Sequence, residues 1–359
     1  MSQPNLKITS SPHVHSGASI PDVMRTVIWA LMPATALSVF MFGWPALLVI
    51  LITMATCVAT ERLFNSIRKR PSSLGDQSAA LTGLLLALTL PPFTPWWLCI
   101  VGGIFAIGVG KQIYGGLGYN MFNPALIARV FMLISFPAEM TSWPVPAPLF
   151  TDAAISFSQS YDIIFNGIAI LPQQTLDAIT TATPLGQYKM GVSMGKTVSD
   201  SLGGTFGFSM MDATSGKLAG SLGETSAVLL LGGGLYLIHK KIIDWRIPGS
   251  MLAGALVPAA FFWVIDGGQT YPDPLFHFVT GGLILGAFFM ATDMVTSPVT
   301  PKGQIIFGAS CGLLTYIIRT WGGYPEGVSF AVVIMNCAVP LIDQYTKPVI
   351  YGQLKKEKA

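Results

Sequence analysis

Charged residues are scarce in this chain, and their scarcity excludes most soluble classes of protein. Only 10% of the 359 residues are Asp, Glu, Lys or Arg, whereas soluble domains carry about a quarter. Hydrophobic residues make up 52%, and the mean hydropathy is +0.60. The composition predicts a polytopic membrane protein with one integral domain. A net charge of +3, scattered along the chain, argues against a nucleic-acid partner.

Cysteine and metal-binding patterns are also scarce. The four cysteines are isolated and form no C-x-x-C pair, so an iron–sulfur or zinc site held by this chain alone is not supported. His13 and His15 do not share a helix face, which favours packing or docking to another chain over metal binding. The polar first 22 residues lack a small-residue cleavage site, and we expect no cleaved signal peptide.

Apolar runs predict an all-α fold with about ten transmembrane helices, because about 20 helical residues satisfy their own backbone hydrogen bonds across lipid. The expected helices lie near residues 24–42, 45–63, 78–92, 96–112, 122–137, 224–239, 248–265, 275–291, 304–319 and 327–345.

Lysine and arginine predict the orientation of these helices. The basic clusters are Arg62, Arg68, Lys69 and Arg70; Lys240, Lys241 and Arg246; and Lys347, Lys355, Lys356 and Lys358. All three fall on the cytoplasmic side if both termini are cytoplasmic, as the positive-inside rule expects. Residues 138–223, with three lysines against six acids, are then periplasmic.

The long segment divides the helices five and five, which is the parity of an inverted repeat. We therefore divide the chain into an N-terminal segment with helices 1–5 (1–137), a periplasmic segment (138–223), and helices 6–10 with a cytoplasmic tail (224–359). The stretches "GGIFAIGVG" and "GASCGLL" fit close helix packing equally well.

The periplasmic segment contains "LDAITTATPLGQ", residues 176–187, which is unusually rich in threonine. Asp177, Thr180, Ala182 and Thr183 form D-x-x-T-x-A-T. This pattern resembles the signature at which a flavin transferase joins FMN to threonine through a phosphoester. Thr183 supplies the hydroxyl, and Pro184 restricts the backbone after it. The alternative is a polar helix entry with Asp177 or Thr180 as N-cap.

Four further stretches carry a wider resemblance. They are "SPHVHS" (11–16), "YGGLGYNMFNPALIARVFML" (114–133), "GSLGETS" (220–226) and "MATDMVTSPVTPKG" (290–303). Nearly end to end, the chain is similar to the RnfD family, a membrane component of the Rnf electron-transport complex. The close relative of that family is the NqrB component of the sodium-pumping NADH:quinone reductase. The short N-terminus and "TTATPL", rather than "SGAT", favour the Rnf side.

The resemblance implies a redox membrane subunit with covalent FMN on Thr183, a noncovalent riboflavin, and a fold related to urea transporters. It implies electron exchange between ferredoxin and NAD, coupled to Na⁺ or H⁺ translocation across a bacterial inner membrane. The implied partners are the other Rnf subunits: membrane subunits, an FMN-bearing periplasmic subunit, and cytoplasmic iron–sulfur and flavin subunits. A flavin transferase is implied for maturation.

The stretch "GGLGYNMFNPA" opens helix 5 and is the candidate riboflavin contact. Gly115 and Gly116 allow backbone to approach a planar ligand, and Asn120 and Asn123 offer donors and acceptors to an isoalloxazine edge. The alternative is a glycine turn with asparagine caps before Pro124. No strand precedes the stretch, so a dinucleotide fingerprint is excluded.

Ionisable residues in or beside the helices are functional candidates, because burying them in a membrane is costly. Glu61, Asp76, Glu224 and Asp293 lie at or near helix ends, and Arg129 lies inside helix 5. Glu224 starts helix 6 and is interpreted as a structural cap or part of a cation path. Asp293 lies beside Thr292, Thr296 and Ser297, whose oxygens suit a hard cation such as sodium, although a solvated interfacial carboxylate is the alternative.

The favoured function is therefore an electron-transfer subunit of an ion-pumping complex. The alternatives are a protein like NqrB of the quinone reductase, a small-solute transporter or channel without a redox role, and a scaffold without a cofactor. Flavin that stays attached to Thr183 after denaturation would separate the first hypothesis from the transporter and the scaffold.

Overall fold

The computed structural model describes residues 19–69, 72–151, 154–167, 180–203 and 209–347, and helix dominates them. The first half contains α1 (Ile20–Phe42), α2 (Trp44–Ile67), α3 (Ser78–Thr89), α4 (Trp96–Ile104, continuing as a π-helix over Phe105–Gln112) and α5 (Pro124–Ser135).

The middle of the chain contains short elements only, in the part that the structure describes. They are α6 (Pro137–Met140), β1 (Trp143–Pro144), α7 (Phe157–Asn166), β2 (Thr180–Thr181), α8 (Pro184–Ser193), α9 (Val198–Leu202) and α10 (Met210–Ser215). The antiparallel pairing of β1 with β2 interrupts the predicted all-α fold at one small point.

The second half returns to long helices. They are α11 (Ala227–His239), α12 (Arg246–Asp266), α13 (Pro274–Val279), α14 (Leu283–Leu285, continuing as a π-helix over Gly286–Met290), α15 (Pro301–Trp321) and α16 (Val328–Tyr345). Every predicted apolar run overlaps one of these helices or those of the first half.

Four of the described helices are long and apolar enough to cross a membrane. They are α1, α2, α12 and α16, and shorter apolar helices accompany them. The prediction of a helical, multi-pass membrane protein is confirmed at this level. The count of ten spans, the inverted repeat and the likeness to urea transporters stay predictions, as do the three domain boundaries.

Two predicted helices differ from the structure in an instructive way. The third ends at Thr89 rather than near residue 92, because the prolines that follow Leu90 cannot continue a helix. The eighth is broken between α13 and α14, where Gly281 and Gly282 have φ of 68° and 61°. Glycine adopts this left-handed backbone without steric penalty. The break brings polar backbone groups into the protein interior.

Close helix packing explains the glycines of "GASCGLL". A Cβ built on Gly312 in α15 would lie 2.0 Å from the carbonyl oxygen of Met251 in α12. A Cβ on Gly308 would lie 2.6 Å from the carbonyl oxygen of Ile247. The two helices therefore touch through their backbones, which larger residues would prevent.

Helices α5 and α16 pack against each other and connect the two halves. Arg129 of α5 donates to Glu326, just before α16, with Nη2 and Oε2 3.0 Å apart. The Arg129 guanidinium also lies 5.7 Å from the ring centroid of Trp143 in β1. This contact ties the membrane helices to the strand pair that precedes Thr183.

Candidate functional site

Thr183 is held at the start of a helix by the strand pair before it. Strand β2 pairs with β1, so that Trp143 lies opposite Thr181. Thr183 is the N-cap of α8, and its Oγ accepts a hydrogen bond of 3.1 Å from the Gly186 N–H. Only 3% of Thr183 is exposed. The hydroxyl that a transferase would have to reach is therefore on a buried residue.

The other residues of the D-x-x-T-x-A-T motif differ in where the structure places them. Thr183 itself is the N-cap of α8, whereas Thr180 lies in β2 and pairs with Pro144, so the predicted cap at Thr180 is wrong. Asp177 lies outside the described residues. Ala182 is next to the cap, and its carbonyl accepts a hydrogen bond from the Gln187 side chain.

Helix α8 is tethered to the ends of other helices. The Lys189 ammonium donates to the carbonyl oxygens of Ile318 in α15 and Tyr324, at 3.1 and 3.0 Å. Tyr188 meets the ring of Phe276 in α13 edge-on, with centroids 6.0 Å apart. Partial burial lowers the pKa of Lys189 and raises the pKa of Tyr188. The helix that begins at Thr183 is thus docked on the broken eighth helix and on α15.

A small cavity lies beside the Thr183 hydroxyl. It measures about 280 Å³, counted to its open side. Its lining comprises Thr183, Pro184, Leu185, Leu218, Ala219, Glu224, Val279, Thr280 and Gly281. Thr183 and Glu224, predicted for separate roles, therefore share one cavity.

Arg319 supports the same cavity, although sequence reasoning did not single it out. Its guanidinium is buried and donates to the carbonyl oxygens of His277, Thr280 and Gly281 at 2.7–2.8 Å. The arginine satisfies backbone groups exposed by the break in the eighth helix. A lone basic residue inside the apolar run "TYIIRTW" was the available signal.

Glu224 does not cap helix 6. It ends a short 3₁₀ turn over Leu222–Glu224, and α11 begins later with Ser226 as its N-cap. The Glu224 carboxylate accepts a hydrogen bond of 2.8 Å from the Ser221 hydroxyl. The structural interpretation of Glu224 as a cap is therefore wrong.

The predicted riboflavin residues lie at a larger cleft. It measures about 820 Å³ including the open solvent at its mouth. Its polar lining comprises Ser78, Thr82, Lys111, Asn120, Asn123, Thr292 and Asp293. Its apolar lining includes Leu85, Leu117, Phe288 and Phe289.

The two asparagines are not equivalent in this cleft. The Asn123 oxygen caps α5 by accepting from the N–H groups of Ala125 and Leu126, and its nitrogen donates to the Met290 carbonyl. Asn120 donates to the Phe122 carbonyl, but its buried Oδ1 has no partner within the described part of the chain. The capping interpretation is thus confirmed for Asn123, and of the two only Asn120 presents an uncommitted acceptor.

Gly115 and Gly116 lie outside the lining of this cleft, whereas Leu117 belongs to it. Their φ angles are 132° and 109°, in the region that favours glycine. They shape the loop that brings Asn120 into the cleft, and the structure does not place them at its surface.

Asp293 lies in this cleft, apart from the cavity of Glu224. Its carboxylate accepts hydrogen bonds from the Val295 N–H and the Thr296 hydroxyl, both at 3.3 Å. Burial raises the pKa of Asp293, and these hydrogen bonds oppose the rise. Within the described residues, no cluster of three or more His, Cys, Asp or Glu could hold a metal ion. A cation path through Asp293 or Glu224 stays a prediction.

Glu61, a candidate from its position in helix 2, is paired with a residue that sequence reasoning passed over. The Lys111 ammonium donates to both Glu61 oxygens, at 2.8 and 3.0 Å, and to the Ser78 hydroxyl at 2.6 Å. Both charged side chains are almost fully buried. The lysine inside "AIGVGKQIY" was the signal for this pair.

Apolar helices, a backbone-broken helix and buried ion pairs define a multi-pass membrane protein with polar sites between its helices. The chain matches the family model described as the NQR2, RnfD, RnfE family over residues 7–352, and it belongs to that family.

Relatives match over almost their whole length. The chain is 45% identical over 342 residues to the RnfD component of the ion-translocating oxidoreductase complex of Stutzerimonas stutzeri, covering 95% of this chain and 94% of the relative. It is 44% identical over 362 residues to the corresponding component of the Na(+)-translocating ferredoxin:NAD(+) oxidoreductase complex of Acetobacterium woodii, covering 100% and 99%. The similarity inferred from the sequence landmarks is confirmed.

Proposed function

We propose that this chain is a flavin-carrying subunit of an Rnf-type complex that relays electrons between ferredoxin and NAD and couples them to Na⁺ or H⁺ translocation. One flavin is FMN, joined to Thr183 by a phosphoester, and the other is riboflavin, bound without a covalent bond in the cleft of Asn120. The protein resides in a bacterial inner membrane with both termini in the cytoplasm and residues 138–223 in the periplasm. The similarity to a component of the Na(+)-translocating ferredoxin:NAD(+) oxidoreductase complex of Acetobacterium woodii supports the reaction.

The observation that carries the attachment site is the position of the Thr183 hydroxyl at the N-terminus of α8. The N-terminal end of a helix stabilises an anion through its peptide dipoles and free N–H groups. A phosphate on Thr183 would lie at that end. The Arg319 guanidinium donates to the carbonyl oxygens of Thr280 and Gly281, which line the same cavity, and so offsets the negative charge that Glu224 brings there.

The small cavity is too tight for an isoalloxazine ring, since only about 10 Å³ of it admits the centre of a water molecule. The ring of an attached FMN would extend out of the cavity, towards a neighbouring subunit. Because Thr183 is buried, the phosphoester would form before α8 docks on α13 and α15.

The combination of apolar and polar side chains in the cleft suits a flavin. Its apolar side chains offer a face to a planar ring, and the unpartnered Asn120 oxygen offers an acceptor to a ring or side-chain donor. Flavins supply the electron-transfer chemistry, whereas this chain binds them, orients them and sets their electrostatic surroundings. Asn123 orients α5 rather than the ligand.

A denaturing gel viewed under ultraviolet light tests the covalent site. Protein produced with the flavin transferase would fluoresce after denaturation, and Thr183→Ala would abolish the signal. Thr181→Ala, at a position that the signature leaves open, is the matched control and would keep it. A dark parent band would refute covalent flavin, and a fluorescent Thr183→Ala band would refute the choice of threonine.

Copurification separates the Rnf role from the related quinone reductase. Native purification through a tag on this chain would recover iron–sulfur subunits with ferredoxin-dependent NAD reduction. Quinone reduction by the recovered complex would assign the chain to the other branch of the family.

A further inference from the structure

The cleft of Asn120 is nearly devoid of charge, and its two charged residues differ in availability. Among the described residues that line it, Lys111 and Asp293 are the only charged ones. The ligand charge that the cleft favours depends on which of these two side chains is available to contact the ligand.

Lys111 is not available to a ligand anion. Its ammonium has three protons, and it makes three hydrogen bonds: two to the Glu61 carboxylate and one to the Ser78 hydroxyl. Glu61 compensates its charge inside the protein, with both side chains almost fully buried. A phosphate in the cleft would have to break this pair to gain a cation.

Asp293, in contrast, is electrostatically uncompensated. Its two hydrogen bonds come from the neutral groups of Val295 and Thr296, both at the long distance of 3.3 Å. Among the described residues, no Lys, Arg or His lies within ion-pair distance of this carboxylate. Its oxygens retain lone pairs for further donors, such as hydroxyl groups.

Resting on the proposed function, we propose that Asp293 makes the cleft selective for an uncharged polyhydroxy flavin, so that it binds riboflavin and rejects FMN. The Asp293 carboxylate accepts hydrogen bonds from the hydroxyl-bearing side chain of riboflavin and repels the phosphate that distinguishes FMN. The saturated Lys111 offers that phosphate no counter-charge. Like charges in a partly buried site repel strongly because solvent screens them little.

The test is a comparison of two ligands on purified protein. The protein is depleted of noncovalent flavin in detergent, and the binding of riboflavin and of FMN is measured separately by quenching of flavin fluorescence. The parent would bind riboflavin at least about tenfold more tightly than FMN, and Asp293→Asn would reduce that preference to about threefold or less. Asp293→Glu, which keeps the charge, would retain the preference.

Asp244 provides a matched control outside the cleft. It is paired with Arg246 and lines a neighbouring groove on the far side of Ile242 and Ile243. Asp244→Asn removes a carboxylate of the same type, yet it would leave the ratio of the two affinities unchanged. Thermal unfolding of each variant in detergent checks that the fold is intact.

The outcomes separate this inference from the proposed function. If Asp293→Asn folds, binds riboflavin and keeps the parent preference, Asp293 does not set the selectivity. The proposal that riboflavin binds in the cleft is then still supported. If the parent binds neither flavin, both the proposed riboflavin site and its selectivity are refuted. An equal affinity of the parent for FMN and riboflavin overturns the selectivity alone.

Discussion

Lys111 and Glu61 form a buried ion pair between α4 and α2, with the ammonium nitrogen 2.8 and 3.0 Å from the two carboxylate oxygens. The same ammonium reaches Ser78, the first residue of α3. One side chain therefore joins three helices. Ser73 and Gln112 also donate to Glu61, and both charged side chains are almost fully buried, where an isolated charge is costly.

Removing one partner of this pair would be more harmful than removing both. We expect Lys111→Met or Glu61→Gln each to destabilise the protein by about 3–5 kcal/mol, because the remaining polar group is left buried without its partner. The double variant would recover part of that loss. Thermal unfolding in detergent measures the effect, and a strictly additive double variant would contradict the coupling.

Thr183 has a structural role that is separable from flavin attachment. Thr183→Ala would remove the N-cap of α8 at a cost of about 0.5–2 kcal/mol. Thr183→Asn restores a capping oxygen but cannot form the threonyl phosphoester. Hydrogen exchange of 184–193 would be faster in the alanine variant and near the parent rate in the asparagine variant, when all three proteins are produced without the transferase. Equal exchange in all three would show that the cap is unimportant.

Gly312 is expected to be intolerant of even one added methyl group. Its built Cβ lies 2.0 Å from the Met251 carbonyl oxygen. Gly312→Ala would therefore force α12 and α15 apart, at a cost of about 1–3 kcal/mol. Gly232 in α11 is the matched control, since a Cβ there meets nothing within 4 Å. Gly232→Ala would be neutral or stabilising, and an equal loss of thermal stability at both sites would refute the backbone contact.

Asn120 and Asn123 are expected to respond oppositely to alanine substitution. Asn123→Ala would lower the unfolding temperature, because it removes the cap of α5 and the hydrogen bond to Met290. Asn120→Ala would weaken riboflavin binding by about tenfold with a smaller effect on stability, since one unpartnered acceptor is lost. Titration with riboflavin and thermal unfolding distinguish the two, and unaltered binding by Asn120→Ala would remove it from the ligand site.

Apolar composition, proline and glycine determined much of this protein without reference to its tertiary structure. The apolar runs predicted the helices, and Pro124 after Asn123 predicted the start and cap of α5. These features are local, since a helix satisfies its own backbone and its cap lies within a few residues. The sequence landmarks were sufficient for the family.

Only the tertiary structure decided which polar residues meet. It joined Lys111 to Glu61, seated Arg319 on the broken eighth helix, and brought Glu224 to the cavity of Thr183. These partners are distant in sequence, and neither hydropathy nor spacing specifies which buried charges are paired. The same sequence made Asn120 and Asn123 look equivalent. Their difference arises because tertiary contacts satisfy the side chain of one and leave an oxygen of the other free.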